Sequence, residues 1–238
     1  MAFTTLAQAE TLDESSLFSR VYMAFSVDQK AAQAWLPAPW KVVPAPKGPF
    51  KGASLIILFE DRFIMLDGEG KPYAGVGTFL RVVLVSFAKN EKTGEPGIFV
   101  TRVYWPSDDP GAYKNAVKAT VSREATIKVS TTGTGSEMWK MQNSAGGMVE
   151  FRMDYQRALP KRTEREFNAH SSVDPDLLYK FRDTYAYDVV KSIPAGIDRV
   201  KNFKFRVTIP ELRKMFDGSE KLVGISVIPS RVRQRFSP

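Results

Sequence analysis

The apolar residues of this chain come in short runs that alternate with polar ones and end at turn residues, a pattern that strands can bury and long helices cannot. Arg20-Val21-Tyr22-Met23-Ala24-Phe25-Ser26 is the clearest case, rich in aromatic and branched side chains. Residues 53–59 form a continuous apolar run between Lys51-Gly52 and Glu60-Asp61, as a buried strand would. Residues 78–88 and 97–105 supply the next two strands, joined by Lys89-Asn90-Glu91-Lys92-Thr93-Gly94. Further strands are predicted over 126–130, 137–142, 148–155, 200–209 and 222–228. Helices are few. Asp28 caps one over 29–35, which Pro37 and Pro39 stop. Others are expected from Asp108 to about Ala119, as a turn over 210–216 and, despite its aromatics, over 176–192; residues 157–175 read as a polar loop. The fold class is mostly β (α+β): a single-domain antiparallel β-barrel or meander enclosing a central small-molecule pocket, with a few short helices.

A chain of 238 residues, 43% of them hydrophobic, can bury one large core. Residues 1–16 are expected to be a flexible N-terminal segment and 17–238 the barrel domain. With no cysteine there are no disulfides and no thiolate chemistry, and one histidine, His170, set in a polar stretch and expected at the surface, removes most zinc sites and imidazole triads. No metal and no cofactor is expected. The same lack of cysteine fits a reducing cytoplasm, and no segment approaches the roughly 18 apolar residues of a membrane span.

The net charge of +8 is concentrated at the C-terminal end, where residues 151–238 hold 18 basic against 11 acidic side chains. Nucleic-acid binders cluster such charge with stacking aromatics. Here basic residues alternate with apolar ones, as in Lys201-Asn202-Phe203-Lys204-Phe205-Arg206, which reads as the wet face of a strand. Neither nucleic acid nor membrane is an expected partner; a small molecule bearing a carboxylate or keto group is, and a homo-oligomer is compatible with the composition. Gly75-Val76-Gly77 lacks the third glycine and following helix of a dinucleotide site.

Charged residues written into apolar strands carry more information. Arg20, Glu60, Arg102, Arg123, Glu124, Glu150 and Arg152 must each face water, find a partner or line a lumen. Lys114 and Lys118, four apart on the expected helix, would share a face and lower each other's pKa, which is how a lysine is prepared for imine chemistry.

These features together resemble the acetoacetate decarboxylase-like superfamily. Phe18-Ser-Arg20-Val-Tyr22-Met-Ala-Phe, then Val27-Asp28 and a helix ending at Trp35-Leu36-Pro37, is similar to that family's opening, and Gly97-Ile-Phe-Val-Thr-Arg-Val-Tyr104 with Asp108-Asp109 is similar to its central strand. The resemblance spans roughly residues 17–155. It implies a central pocket in which Arg20 is the pocket arginine and Glu60 lies near a pocket carboxylate; the family's second glutamate has no clear counterpart near Thr78-Phe79-Leu80. The family's imine-forming lysine corresponds to Ser122-Arg123-Glu124, and a guanidinium cannot form an imine. The expected activity is therefore a lyase-type or proton-transfer reaction on a keto or carboxylate metabolite without a Schiff base. Glu60, Arg123 and Glu124 are the candidate catalytic residues, and Arg20, Tyr104 and Lys118 the candidate substrate contacts. The alternative is a non-catalytic binding protein on the same fold.

Overall fold

The computed structural model describes residues 10–73, 77–129 and 133–237. Among them, strands run over Thr11–Ser26 (β1), Trp40–Val42 (β2), Leu55–Asp67 (β3), Phe79–Asn90 (β4), Pro96–Trp105 (β5), Ala116–Lys128 (β6), Thr134–Asn143 (β7), Met148–Gln156 (β8), Lys161–Ser171 (β9), Leu178–Ser192 (β10), Ile197–Asp198 (β11), Val200–Val207 (β12) and Lys221–Ser237 (β13). The helical elements are α1 (Gln29–Gln33), capped by the Asp28 carboxylate accepting from the Ala31 N–H at 2.8 Å, and a 3-10 turn at Pro210–Leu212.

The strands form one sheet, and a ring lies inside it. β5, β9, β10, β13, β1, β3 and β4 are neighbours in that order, and pairing of β4 with β5 closes the circuit. β6, β7, β8 and β12 continue from β5 as an antiparallel extension. Most pairs are antiparallel, but β5 runs parallel to both β6 and β9, so the chain is not a simple meander.

The alternation that marks the strands in the sequence sorts their side chains into two cores. Val21, Met23 and Phe25 of β1 and Leu55, Ile57 and Phe59 of β3 point out of the ring, where they meet Trp139, Met141, Phe151 and Met153 of the extension. Phe59 anchors this layer, its ring 4.6 Å from that of Phe151 and 5.7 Å from that of Trp139. The intervening residues of the same strands, Tyr22 and Ala24, Ile56 and Leu58, point into the ring.

Several expected elements differ. Residues 178–192 are strand rather than helix: Phe181, Asp183 and Tyr185 alternate inward. A buried aspartate in that row imitated the polar side of a helix. The expected loop contains β9, polar because its outer face is in water. His170, on β9, is half-buried rather than exposed: it stacks on Phe99 at 4.9 Å, and its Nδ1 lies 2.8 Å from the Pro175 carbonyl. No helix covers 108–119, because Gly111 and Lys114 take positive φ (66° and 56°) and β6 begins at Ala116, so Lys114 and Lys118 share no helical face. β1 begins at Thr11, inside the segment expected to be flexible; residues 1–9, Gly75, Val76 and Ser130 lie outside the described residues. Lys204 and Arg206 are exposed while Phe203 and Phe205 pack against the core, as their alternation implied.

Removing the Phe59 ring leaves a cavity between two layers that cannot close independently. Phe59→Ala is expected to cost about 3–5 kcal/mol in urea denaturation with an unchanged far-ultraviolet spectrum.

Candidate functional site

All seven ring strands contribute inward side chains to a cavity of about 350 Å³. Toward one end it is apolar, lined by Ile56, Leu58, Val83, Val85 and Val100. Toward the other, a change of sequence character brings in charge: Glu14, Arg20 and Tyr22 from β1, Glu60 from β3, Arg81 from β4, and Arg231, Arg233 and Arg235 from β13.

These groups are buried, Tyr22 and Arg81 partly so, and form a connected network. Glu60 is bonded by three guanidinium groups: one of its oxygens pairs with Arg20, and the other accepts from Arg62 Nη1 at 3.2 Å and Arg81 Nε at 2.6 Å. Arg62, fully buried, also pairs with Glu14, which takes Arg235 Nη1 at 3.0 Å on its second oxygen. Asp183 of β10 accepts two bonds from Arg233, at 2.7 and 2.9 Å, and pairs with Arg231. The two halves meet at Tyr22, whose hydroxyl oxygen accepts from Arg20 Nη1 at 2.8 Å and from Arg231 Nη1 at 2.6 Å.

The proton affinities follow from this crowding. Burial pushes the Glu14 and Asp183 carboxyls up, but the arginines around each outweigh it and hold both well below the usual carboxylate range. Burial lowers Arg20, and repulsion from Arg231 and Arg233 lowers it further. Burial also raises Tyr22, yet Arg20, Arg231 and Arg233 win and bring its hydroxyl down to about 8. Tyr113, at the cavity wall, is raised by burial, and its hydroxyl has no hydrogen-bond partner among the described residues.

No family model matches the chain, and no curated protein matches it in sequence. Solved structures do resemble it. MppR, an enduracididine biosynthesis enzyme solved with HEPES bound, superposes with a TM-score of 0.59 at 11% identity, over 98% of this chain and 87% of that one. The same enzyme in complex with pyruvate gives 0.59 at 10% identity, over 98% and 91%. An acetoacetate decarboxylase-like enzyme from Sphingomonas wittichii RW1 gives 0.57 at 10%, over 98% and 95%. The fold is that of the acetoacetate decarboxylase-like enzymes. At such identity the likeness concerns the fold and leaves the chemistry to the residues of the site.

Within this acetoacetate decarboxylase-like ring, the structure brings together two of the residues singled out in the sequence, Arg20 and Glu60. Arg123 is elsewhere: its guanidinium lies outside the ring, bonded to Glu137 at 2.7 and 3.0 Å, to Asp61 at 2.7 Å and to Ser19 Oγ at 2.9 Å. Ser19 and Asp61 sit on the faces of β1 and β3 opposite Arg20 and Glu60, so Arg123 does not line the charged cavity; it and Arg20 both border a smaller pocket on the other side of β1, with Ser19 and Glu137. Glu124 is exposed. The buried Tyr104 hydroxyl donates to Glu211 at 2.6 Å in the outer core. Lys118 is exposed and paired with Asp108 at 2.5 Å, and Lys114 with Asp174 at 2.8 Å.

The residues that sequence reasoning missed are Glu14, Tyr22, Arg62, Arg81, Asp183 and the trio Arg231, Arg233 and Arg235. A signal for the trio existed: Arg231-Val-Arg233-Gln-Arg235-Phe alternates as cleanly as any strand in the chain. Pro229 concealed it, since it ends the apolar run at Ile228 and stands where the pairing of β13 with β1 slips by one residue. Before the slip Ser226 and Ile228 face inward; after it Arg231, Arg233 and Arg235 do.

Asp183→Asn removes one carboxylate from beneath two buried guanidinium groups and is expected to destabilise the protein by about 3–5 kcal/mol. Because the native Asp183 and Glu14 values are depressed, their stabilisation is complete above the ordinary carboxylate range and is lost as pH falls through and below it. Chemical denaturation from pH 7 downward should show a steep loss of stability in the parent protein and a shallower one in Asp183→Asn.

Proposed function

We propose that this chain is a small-molecule enzyme acting on a metabolite that carries a carboxylate beside a keto group, by a lyase-type or proton-transfer reaction that uses no Schiff base. The observation that carries this reading is the charge of the network: six guanidinium groups, Arg20, Arg62, Arg81, Arg231, Arg233 and Arg235, share four carboxylates, Glu14, Glu60, Asp183 and, at 3.9 Å from Arg235, the partly exposed Asp13. Buried charge of one sign is costly without a counter-ion, so the empty space beside the network favours an anionic guest. Guanidinium forks suit carboxylates in geometry as well as charge. The apolar end of the cavity would receive the carbon skeleton.

The reading without an imine rests on the lining of the cavity, which among the described residues includes no lysine. Lys114 and Lys118 are exposed and salt-bridged outside it. In this reading Arg20 and Arg231 bind the substrate's anionic oxygens. Glu60, with both oxygens occupied by guanidinium donors, holds Arg20 and Arg81 in place. Arg123, Glu124, Tyr104 and Lys118 have no part in binding. That MppR has been seen with pyruvate is a property of that protein; the arginine-rich cavity is the reason to extend 2-oxo acids to this one.

The test pairs heat stability with trapping. A 2-oxo acid such as pyruvate or 2-oxoglutarate should raise Tm, by mass action on the native state alone, and Arg231→Met should abolish the rise. Borohydride reduction in the presence of pyruvate should leave the intact mass unchanged. A reduced adduct on any lysine would overturn the imine-free mechanism. Stabilisation without conversion of any 2-oxo acid in a broad panel, followed by NMR, would favour the binding-protein reading.

A further inference from the structure

We infer that Tyr22, ionised, is the group that takes a proton from substrate carbon in this cavity, a role that rests on the proposed function and names its base. The other acidic groups at the polar end are committed. Glu60 has guanidinium donors on both oxygens, Glu14 spans Arg62 and Arg235, and Asp183 is filled by Arg231 and Arg233. Tyr22 differs in kind. Its oxygen accepts from two guanidinium groups, and among the described residues no protein acceptor takes its own proton. An oxygen given two charged donors and no acceptor is arranged for the phenolate.

The groups facing it all bear on that ionisation. From β1 there is Arg20, with Glu60 of β3 behind it; from β13, Arg231 and Arg233; from β10, Asp183 and Tyr185. Burial and Asp183 oppose the negative phenolate, the three arginines favour it, and the balance falls to about 8. A base with that value is partly ionised at neutral pH and still strong enough to enolise a bound keto acid, which is where general-base catalysis is most efficient.

The step balances within the site. The C–H bond next to the keto carbon breaks, and its proton forms the O–H of Tyr22. The electron pair enters the carbon–carbon bond of an enolate, whose oxygen takes the negative charge that the phenolate gives up. Arg20 and Arg231, already directed at the phenolate, face a negative oxygen before and after transfer, so the arginines need not reorganise. Return of the proton completes an exchange, and loss of a leaving group from the enolate would complete an elimination.

Deuterium incorporation from heavy water into pyruvate and 2-oxoglutarate, followed by NMR with the full chain, tests this directly. In the parent protein kcat/KM for exchange should rise with pH and level off above about 8. An ultraviolet tyrosinate titration should show one residue ionising over the same range. Tyr22→Phe should remove that titration and lower exchange about 10²–10⁴-fold, while pyruvate still raises its Tm. Replacing tyrosines with 3-fluorotyrosine, which keeps the ring's shape and acidifies the phenol, should move both profiles to lower pH together and guards against a loss that reflects folding alone. Exchange unchanged in Tyr22→Phe, or a pH profile that fluorination leaves in place, would overturn the assignment to Tyr22 while leaving the proposed function standing. No exchange of either acid by a parent protein that binds them would overturn the proton-transfer reading itself, and this assignment with it.

Discussion

Six guanidinium groups, five of them buried and Arg81 partly so, held by Glu14, Glu60, Asp183 and Asp13, dominate the interior of the ring, and most of its other features can be derived from them. Such a network is expensive to assemble, because each ion leaves water and regains its hydration only through close, directed bonds. Those bonds also join strands. Asp183 ties β10 to β13, Arg231 and Tyr22 tie β13 to β1, Glu60 links β1, β3 and β4, and Glu14 reaches Arg62 of β3 and Arg235 of β13. The closed circuit of strands holds these groups at fixed separation, and pairing leaves a surplus of positive charge beside the cavity.

The ring can carry this burden because its outer face is an ordinary apolar core. Along β1 and β3 each residue committed to the charged cavity alternates with one buried against the β6–β8 extension, so Arg20, Tyr22 and Glu60 are interleaved with Val21, Met23 and Phe59. Strand position is thus fixed by hydrophobic burial on one side, which leaves the other side free to be polar. A slip of one residue would exchange the two sets, placing guanidinium groups in the apolar layer and phenyl rings in the cavity. The register of the site is protected by the cost of that exchange.

This division explains what could be read in the sequence. Where apolar and polar residues alternate with nothing intervening, as over 20–26 and 53–60, strand, orientation and even two cavity residues, Arg20 and Glu60, are evident. Where the cavity face itself is charged, alternation loses contrast. β10 presents Asp183 inward and Arg182 outward, and its pattern passes for a helix; β9 presents Thr163 and Arg165 inward and passes for a loop. Arg123 shows the opposite error. It is a charge in a strand-like run, but its bonds to Glu137 and Asp61 answer its burial fully, on the far side of β1 from the cavity. Sequence marks where a charge must be compensated, and only the fold says whether a neighbour or a ligand does so.

Arginine in place of lysine also decides which kind of chemistry the cavity can vary with pH. A lysine crowded by cations loses its proton and becomes a nucleophile; a guanidinium under the same pressure keeps its charge, because delocalisation holds its proton far more tightly. Burial and mutual repulsion weaken the hold of Arg20 on its own proton, and the same crowding is relieved when a neighbouring hydroxyl ionises. Tyr22 is that group, reached by Arg20 from one side and Arg231 from the other. Crowding of positive charge, which in an amine-bearing site would favour a free amine, favours an oxyanion here, and the proposed role of Tyr22 follows from that preference.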